Sequence, residues 1–242
     1  MHLAMFIDGW NMYWSLKRRG IRPYGWCDFK SLARQQTGHA DASVSVKFFT
    51  SDDKPNPDKP LIKQAIWWQA LGITGCEVIL GEFRARHEEV KKWIRDSGKV
   101  WREKQTDVAL ASHMVADCSR EPGYDEAILL TQDFDFIPAV KIVANEPFRK
   151  RVHVLLPPTN PEAERSALRE WKRVSAGCGA DPRGVPLVRL RQLSKDDFAK
   201  ALLPQVVKGA HGETVTCPAT WMWRERYKEE QDRTGAHIDR PH

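Results

Sequence analysis

Short, mostly apolar runs, each followed by a stretch of helical spacing, restrict the fold of this chain more than any other feature. Leu3 to Asp8, Ser43 to Thr50, Glu77 to Gly81, Ala127 to Thr131 and Arg151 to Leu156 read as strands. Asn11 to Arg19, Leu61 to Leu71, Thr106 to Cys118 and Ile137 to Asn145 read as helices, with Val108, Leu110, Ala111, Met114 and Val115 as the core positions of the third. Strands and helices in alternation specify an α/β fold, a three-layer α/β/α sandwich with a mainly parallel sheet. In such a sheet ligands bind beyond the carboxyl ends of the strands.

Four carboxylates fall at or beside those ends. Asp8 closes the first strand in FIDGWNMY, Asp107 opens a helix in EKQTDVALA, and Asp133 and Asp135 follow the fourth strand in LLTQDFDFIPAV. Far apart in sequence, they converge once the sheet forms. Clustered carboxylates repel one another unless a cation neutralises them, and hard cations prefer oxygen ligands. The pattern therefore points to Mg²⁺ or Mn²⁺ and phosphodiester chemistry. Helix capping is the competing account. Asp8 and Asn11 can cap the first helix, and Thr106 or Asp107 can cap the later one. One acid of the Asp133/Asp135 pair can cap the helix entered through Pro138, but not easily both. Asn11 can hydrogen-bond a ligand, a water or the Asp8 carboxylate, and Thr131 can position a water or phosphate or simply end its strand.

The combination DGxN, then KxxD before a helix, then [S/T]xDxDF with Pro two residues on, resembles the NYN domain of the PIN-like nuclease group, which includes bacterial LabA-like proteins. The likeness spans residues 1–157. It implies an acidic, Mg²⁺- or Mn²⁺-binding centre at Asp8, Asp107, Asp133 and Asp135 with Asn11 beside it, and an RNA substrate. Gln132 and Gln105 depart from the pattern, standing where the family commonly has Gly or another small residue.

A chain of 242 residues, 41% hydrophobic and 29% charged, can bury one substantial core. Its formal charge of +6 favours acidic partners, nucleic acid first. Much of that charge sits between Arg84 and Lys104, where Arg84, Arg86, Lys91, Lys92, Arg95, Lys99, Arg102 and Lys104 outnumber four acids. Basic side chains can follow a phosphate backbone while rings stack on unpaired bases. Trp10, Tyr13 and Trp14 follow Asp8 closely enough for one of them to stack, although helical spacing places at least one in the core. Five scattered cysteines without a CxxC pair suggest free thiols in a reducing cytoplasm and argue against zinc. No apolar run is long enough to span a bilayer, and no signal-like segment precedes the first strand.

After Pro158 the pattern weakens. Residues 158–220 are expected to form a C-terminal extension packed on or beside the 1–157 domain. Ala163 to Val174 reads as a helix, Leu187 to Leu190 as a short strand, and Ser194 to Val207 as a capped helix ending near Pro204. Residues 221–242 are expected to form a charged, mobile tail. The expected activity is metal-dependent endoribonucleolytic hydrolysis, with a catalytically weak or inactive RNA- or protein-binding regulatory module as the alternative. A regulatory protein partner and a homodimer stay open. A phosphatase with an Asp nucleophile is disfavoured, because its DxD pair would follow the first strand rather than a late one.

Overall fold

The computed structural model describes residues 1–51, 62–85 and 101–221. Seven strands form one sheet: β1 (His2–Asp8), β2 (Ser43–Ser51), β3 (Cys76–Ala85), β4 (Trp101–Lys104), β5 (Glu126–Leu130), β6 (Arg151–Leu156) and β7 (Val188–Gln192). They lie in the order β4-β3-β2-β1-β5-β6-β7, and every neighbouring pair is parallel except β3 with β4. The helices are α1 (Gly9–Arg18), α2 (Phe29–Thr37), α3 (Ile62–Ile73), α4 (Thr106–Cys118), α5 (Ile137–Ala144), α6 (Pro161–Gly177) and α7 (Lys195–Ala199). A small antiparallel hairpin, β8 (Val206–Lys208) and β9 (Thr214–Thr216), follows. This is the three-layer α/β/α sandwich that the sequence specifies.

Strand periodicity sorts the layers. Leu3, Met5 and Ile7 of β1 face one core with Met12, Leu16, Phe29, Leu32 and Trp67, from α1 to α3. Ala4 and Phe6 face the other, with Leu110, Met114, Val140, Val143 and Trp171, from α4 to α6. β1 is buried on both faces, as a central parallel strand must be.

β1 lies between β2 and β5, so the chain builds outward on one side through β2 and β3 and then returns by way of α4 to build outward on the other. The carboxyl ends of β1 and β5 flank the point where strand order reverses, the usual binding crevice of such sheets. Gly9, at the turn from β1 into α1, must be a glycine. A Cβ there would lie 2.5 Å from a Phe48 ring carbon and 2.7 Å from the Phe49 carbonyl oxygen.

The segment after Pro158 does more than sit alongside. β7 pairs in parallel with β6 and extends the main sheet. Leu193, Phe198, Ala201, Leu203, Val207, Val215, Cys217 and Trp221 join the core layer of α1 to α3. Trp221, assigned from sequence to the mobile tail, is buried 5.0 Å from the Trp67 ring. Residues 222–242 lie outside the described residues.

One helix is far shorter than its sequence suggests. A capping box between Ser194 and Asp197 starts α7 as expected, but the helix stops at Ala199 rather than continuing towards Val207. The backbone of the 26–28 segment diverts it. Asp28 N donates to the Ala201 carbonyl at 2.6 Å, and Leu203 N donates to the Trp26 carbonyl at 3.1 Å. Pro204, lacking an N–H, could not have continued the helical ladder. α2 is an element beyond those expected from the sequence: Asp28 caps it by accepting from Lys30 N and Ser31 N, and Gly38 ends it at φ 77°.

Candidate active site

The β1–α1 turn supplies Asp8. Its Oδ1 accepts from Asn11 N at 3.0 Å, capping α1, and its Oδ2 accepts from the Thr131 hydroxyl at 3.0 Å. Asp8 is thus both a cap and a member of the carboxyl-end group. Burial pushes its carboxyl up to about 7, against the two hydrogen bonds that favour the ionised form, and the nearby Asp107 and Asp133 raise it further.

Thr131, just beyond β5, is fully buried. Its hydroxyl donates to Asp8 and accepts from Asp133 N at 3.0 Å, so it ties the two strand ends together instead of facing solvent. The Asn11 side chain makes a second tie, Oδ1 accepting from Gln132 N at 3.0 Å. It does not bond the Asp8 carboxylate; the Asn11 backbone does. Gln132 is accommodated with its amide donating to the Pro157 carbonyl.

Beyond this buried frame, Asp107, Asp133 and Asp135 each place a carboxylate oxygen so that all three atoms lie within 4.8 Å of one another. None of the three caps a helix. The N-cap of α5 is Phe136, which makes no side-chain cap bond. The N-cap of α4 is Gln105, not Thr106 or Asp107, and it too makes no side-chain cap bond. Asp133 does accept locally from Asp135 N, which folds the DFD segment so that both acids face one region. Burial first, then the charges of Asp133 and Asp135, hold the Asp107 carboxyl above the ordinary carboxylate range. Among the residues whose side chains are described, which leave out 82–85 and 101–104, no Lys, Arg or His pairs with Asp8, Asp107, Asp133 or Asp135.

Two local features of α4 differ from the sequence reading. Val108, expected in the core, is 70% exposed next to Asp107, while Thr106, Leu110, Met114 and Cys118 form the buried stripe. Gln105 takes φ 81°, the left-handed region that glycine adopts without strain. The need for Gly at this position is real, and this chain meets it with glutamine.

Of the expected nucleic-acid contacts, Trp10 lies in α1 two residues past Asp8, its indole N–H donating to Ser51 Oγ at 2.6 Å. In the β3–β4 backbone register Arg84 lies opposite Arg102 and Glu82 opposite Lys104. Arg86, Lys91 and Lys92 lie outside the described residues. No described helix is long and apolar enough to cross a membrane.

A parallel α/β/α sandwich with acids at its strand-order reversal has the architecture of the PIN-like nucleases. The chain belongs to the NYN domain family, a PIN-like nuclease group, whose model matches residues 2–173. A Vibrio parahaemolyticus protein of unknown function, known from a crystal structure, is 20% identical over 84% of this chain and 96% of that one, with a TM-score of 0.49. No curated protein matches.

Proposed function

We propose that this protein is a metal-dependent endoribonuclease that hydrolyses phosphodiester bonds of single-stranded or structured RNA. One observation carries the reading: three carboxylate oxygens within 4.8 Å, contributed by Asp107, Asp133 and Asp135, none of them capping a helix and none paired with a cation among the residues whose side chains are described. Like charges so placed destabilise the fold unless something positive joins them. An all-oxygen donor set suits Mg²⁺ or Mn²⁺, and the raised Asp107 carboxyl marks the same unmet need.

Asp107, Asp133 and Asp135 would hold the ion, with Asp8 at the inner wall of the group. When bound, the ion supplies a water of lowered pKa and positive charge for the phosphoryl oxygens. Thr131 acts as a positioning residue, fixing Asp8 by its hydroxyl proton and Asp133 through that residue's backbone N–H. Asn11 holds the 131–133 segment against α1 through Gln132 N. RNA as substrate follows from the family and from the basic charge; the regulatory-module reading would leave the unpaired acids without a use.

The test is cleavage of an end-labelled single-stranded RNA with Mn²⁺, Mg²⁺ or EDTA, beside Asp133→Asn. Cleavage that requires the ion and disappears in the variant is the expected result. Cleavage in EDTA, or wild-type rates from Asp133→Asn, would overturn the assignment.

A further inference from the structure

α1 leaves the acidic centre with an aromatic face of which only Tyr13 packs against the core. Its buried positions after Gly9 are Met12, Ser15 and Leu16. Trp10, Tyr13, Trp14 and Lys17 follow i, i+3, i+4 and i+7 spacing and share another face. The Trp10 and Trp14 rings are nearly parallel, 20° apart with centroids 6.4 Å from each other. Tyr13 stands edge-on to both, at 6.0 and 5.5 Å. Lys17 Nζ sits 4.3 Å from the Trp14 centroid, and Trp14 remains 42% exposed. The hydrogen bond to Ser51, at the carboxyl end of β2, fixes the Trp10 ring at the rim of the crevice.

The surroundings say what covers these rings. Lys17, Arg18 and Arg19 are exposed where the helix ends, and none pairs with an acid among the described residues. A ligand for this face must offer flat π surface and negative charge together. Unpaired nucleotides do; bases within a duplex are already stacked and present only their edges. Position agrees: from Asp8 to Trp14 the helix advances about 9 Å at ~1.5 Å per residue, the length of two to three stacked nucleotides at ~3.4 Å each.

We propose that Trp10, Tyr13, Trp14 and Lys17 form a base-stacking platform for unpaired nucleotides of the RNA strand adjoining the cleavage site, with Lys17, Arg18 and Arg19 on its phosphates. This rests on the nuclease reading of the acidic centre and adds to it a preference for single strands. Trp10 anchors the platform and Trp14 is its most exposed ring, so Trp14 carries most of the stacking once the Lys17 side chain swings from over that ring to a phosphate.

The experiment separates the two ideas by measuring binding without cleavage. Fluorescein-labelled single-stranded RNA and a blunt RNA duplex of equal length are titrated in EDTA with full-length wild type, Trp14→Ala, Trp14→Phe and Lys17→Ala, each checked by circular dichroism. Stacking on one aromatic ring predicts a roughly tenfold loss of single-strand affinity in Trp14→Ala, recovery in Trp14→Phe and unchanged duplex affinity. Lys17→Ala should reduce the salt dependence of binding by about one phosphate contact. Under Mn²⁺, Trp14→Ala should raise KM and leave kcat in place. Equal single-strand affinity for wild type and Trp14→Ala, equal losses on single strand and duplex, or no single-strand binding by wild type would each overturn the platform. Absence of metal-dependent cleavage, with the binding pattern as expected, would overturn the nuclease reading instead.

Discussion

Replacing Glu126 by Gln tests the electrostatics of this fold far from its acidic centre. Glu126 opens β5 at the amino end of the sheet and is 7% exposed. Arg151 Nη1 donates to one of its carboxylate oxygens, and His153 Nε2 donates to the other at 2.7 Å. Burial pushes the Glu126 carboxyl up, but the His153 and Arg151 interactions outweigh it and bring it down from 4.5 to about 2. At ~1.4 kcal/mol per pH unit, that difference corresponds to ~3 kcal/mol of folding stability. Arg151 keeps a second partner, Asp181 at 2.8 Å, so Glu126→Gln should remove somewhat less, ~2–3 kcal/mol at pH 7. The sign follows from a depressed carboxyl: its contribution is fully present above 4.5 and is lost as pH falls towards 2. The urea midpoint of Glu126→Gln should therefore lie well below wild type at pH 7, and the gap should shrink by about half or more at pH 3. A penalty under ~0.5 kcal/mol at pH 7, or one equal at both pH values, would refute the reasoning.

Asp107→Asn should abolish metal-dependent RNA cleavage without lowering the thermal midpoint, because it relieves repulsion from Asp133 and Asp135; single-turnover cleavage and a melting curve in EDTA check both halves. Gln105→Gly should raise stability by ~1 kcal/mol, since it removes a non-glycine side chain from φ 81°, and urea denaturation measures it. Thr131→Val keeps shape but takes a donor from Asp8 and an acceptor from Asp133 N; destabilisation of ~1–3 kcal/mol and at least tenfold slower cleavage are expected. Phe198→Ala should cost ~3–5 kcal/mol by calorimetry or urea, because that ring is fully buried in the core layer of α1 to α3.

The sheet and the four acids were legible in the sequence because central parallel strands are apolar on both faces and end abruptly in polar motifs. β1, β5 and β6 announced themselves in this way, and β2 by the alternation of its first residues. What the sequence hid are contacts between distant segments. α7 ends early because the 26–28 backbone claims residues 201–203, about 175 positions away, and no local pattern encodes that pairing. Val108 fits an apolar stripe by spacing, yet α4 is rotated so that Thr106 points inward and Val108 outward. The Glu126–Arg151–His153 network left no motif, since its members come from two strands that meet only in the sheet. At the site, residue types gave the acids, but only the fold shows that Thr131 and Asn11 serve the frame around them.

The way the C-terminal segment closes the α1–α3 layer also sets an order of events during synthesis. Every acid of the site has been synthesised once Asp135 is made, but Trp26 gains its Pro204 partner and Trp67 its Trp221 partner only with the segment ending at Trp221. At roughly 5–20 residues per second, translation separates the two by about 4–17 s. For that interval the nascent chain holds all four acids on an unfinished support. A protein made this way completes its fold only after Trp221 has been added, and a fragment stopped before the final wrap would carry the acids without the body that aligns them.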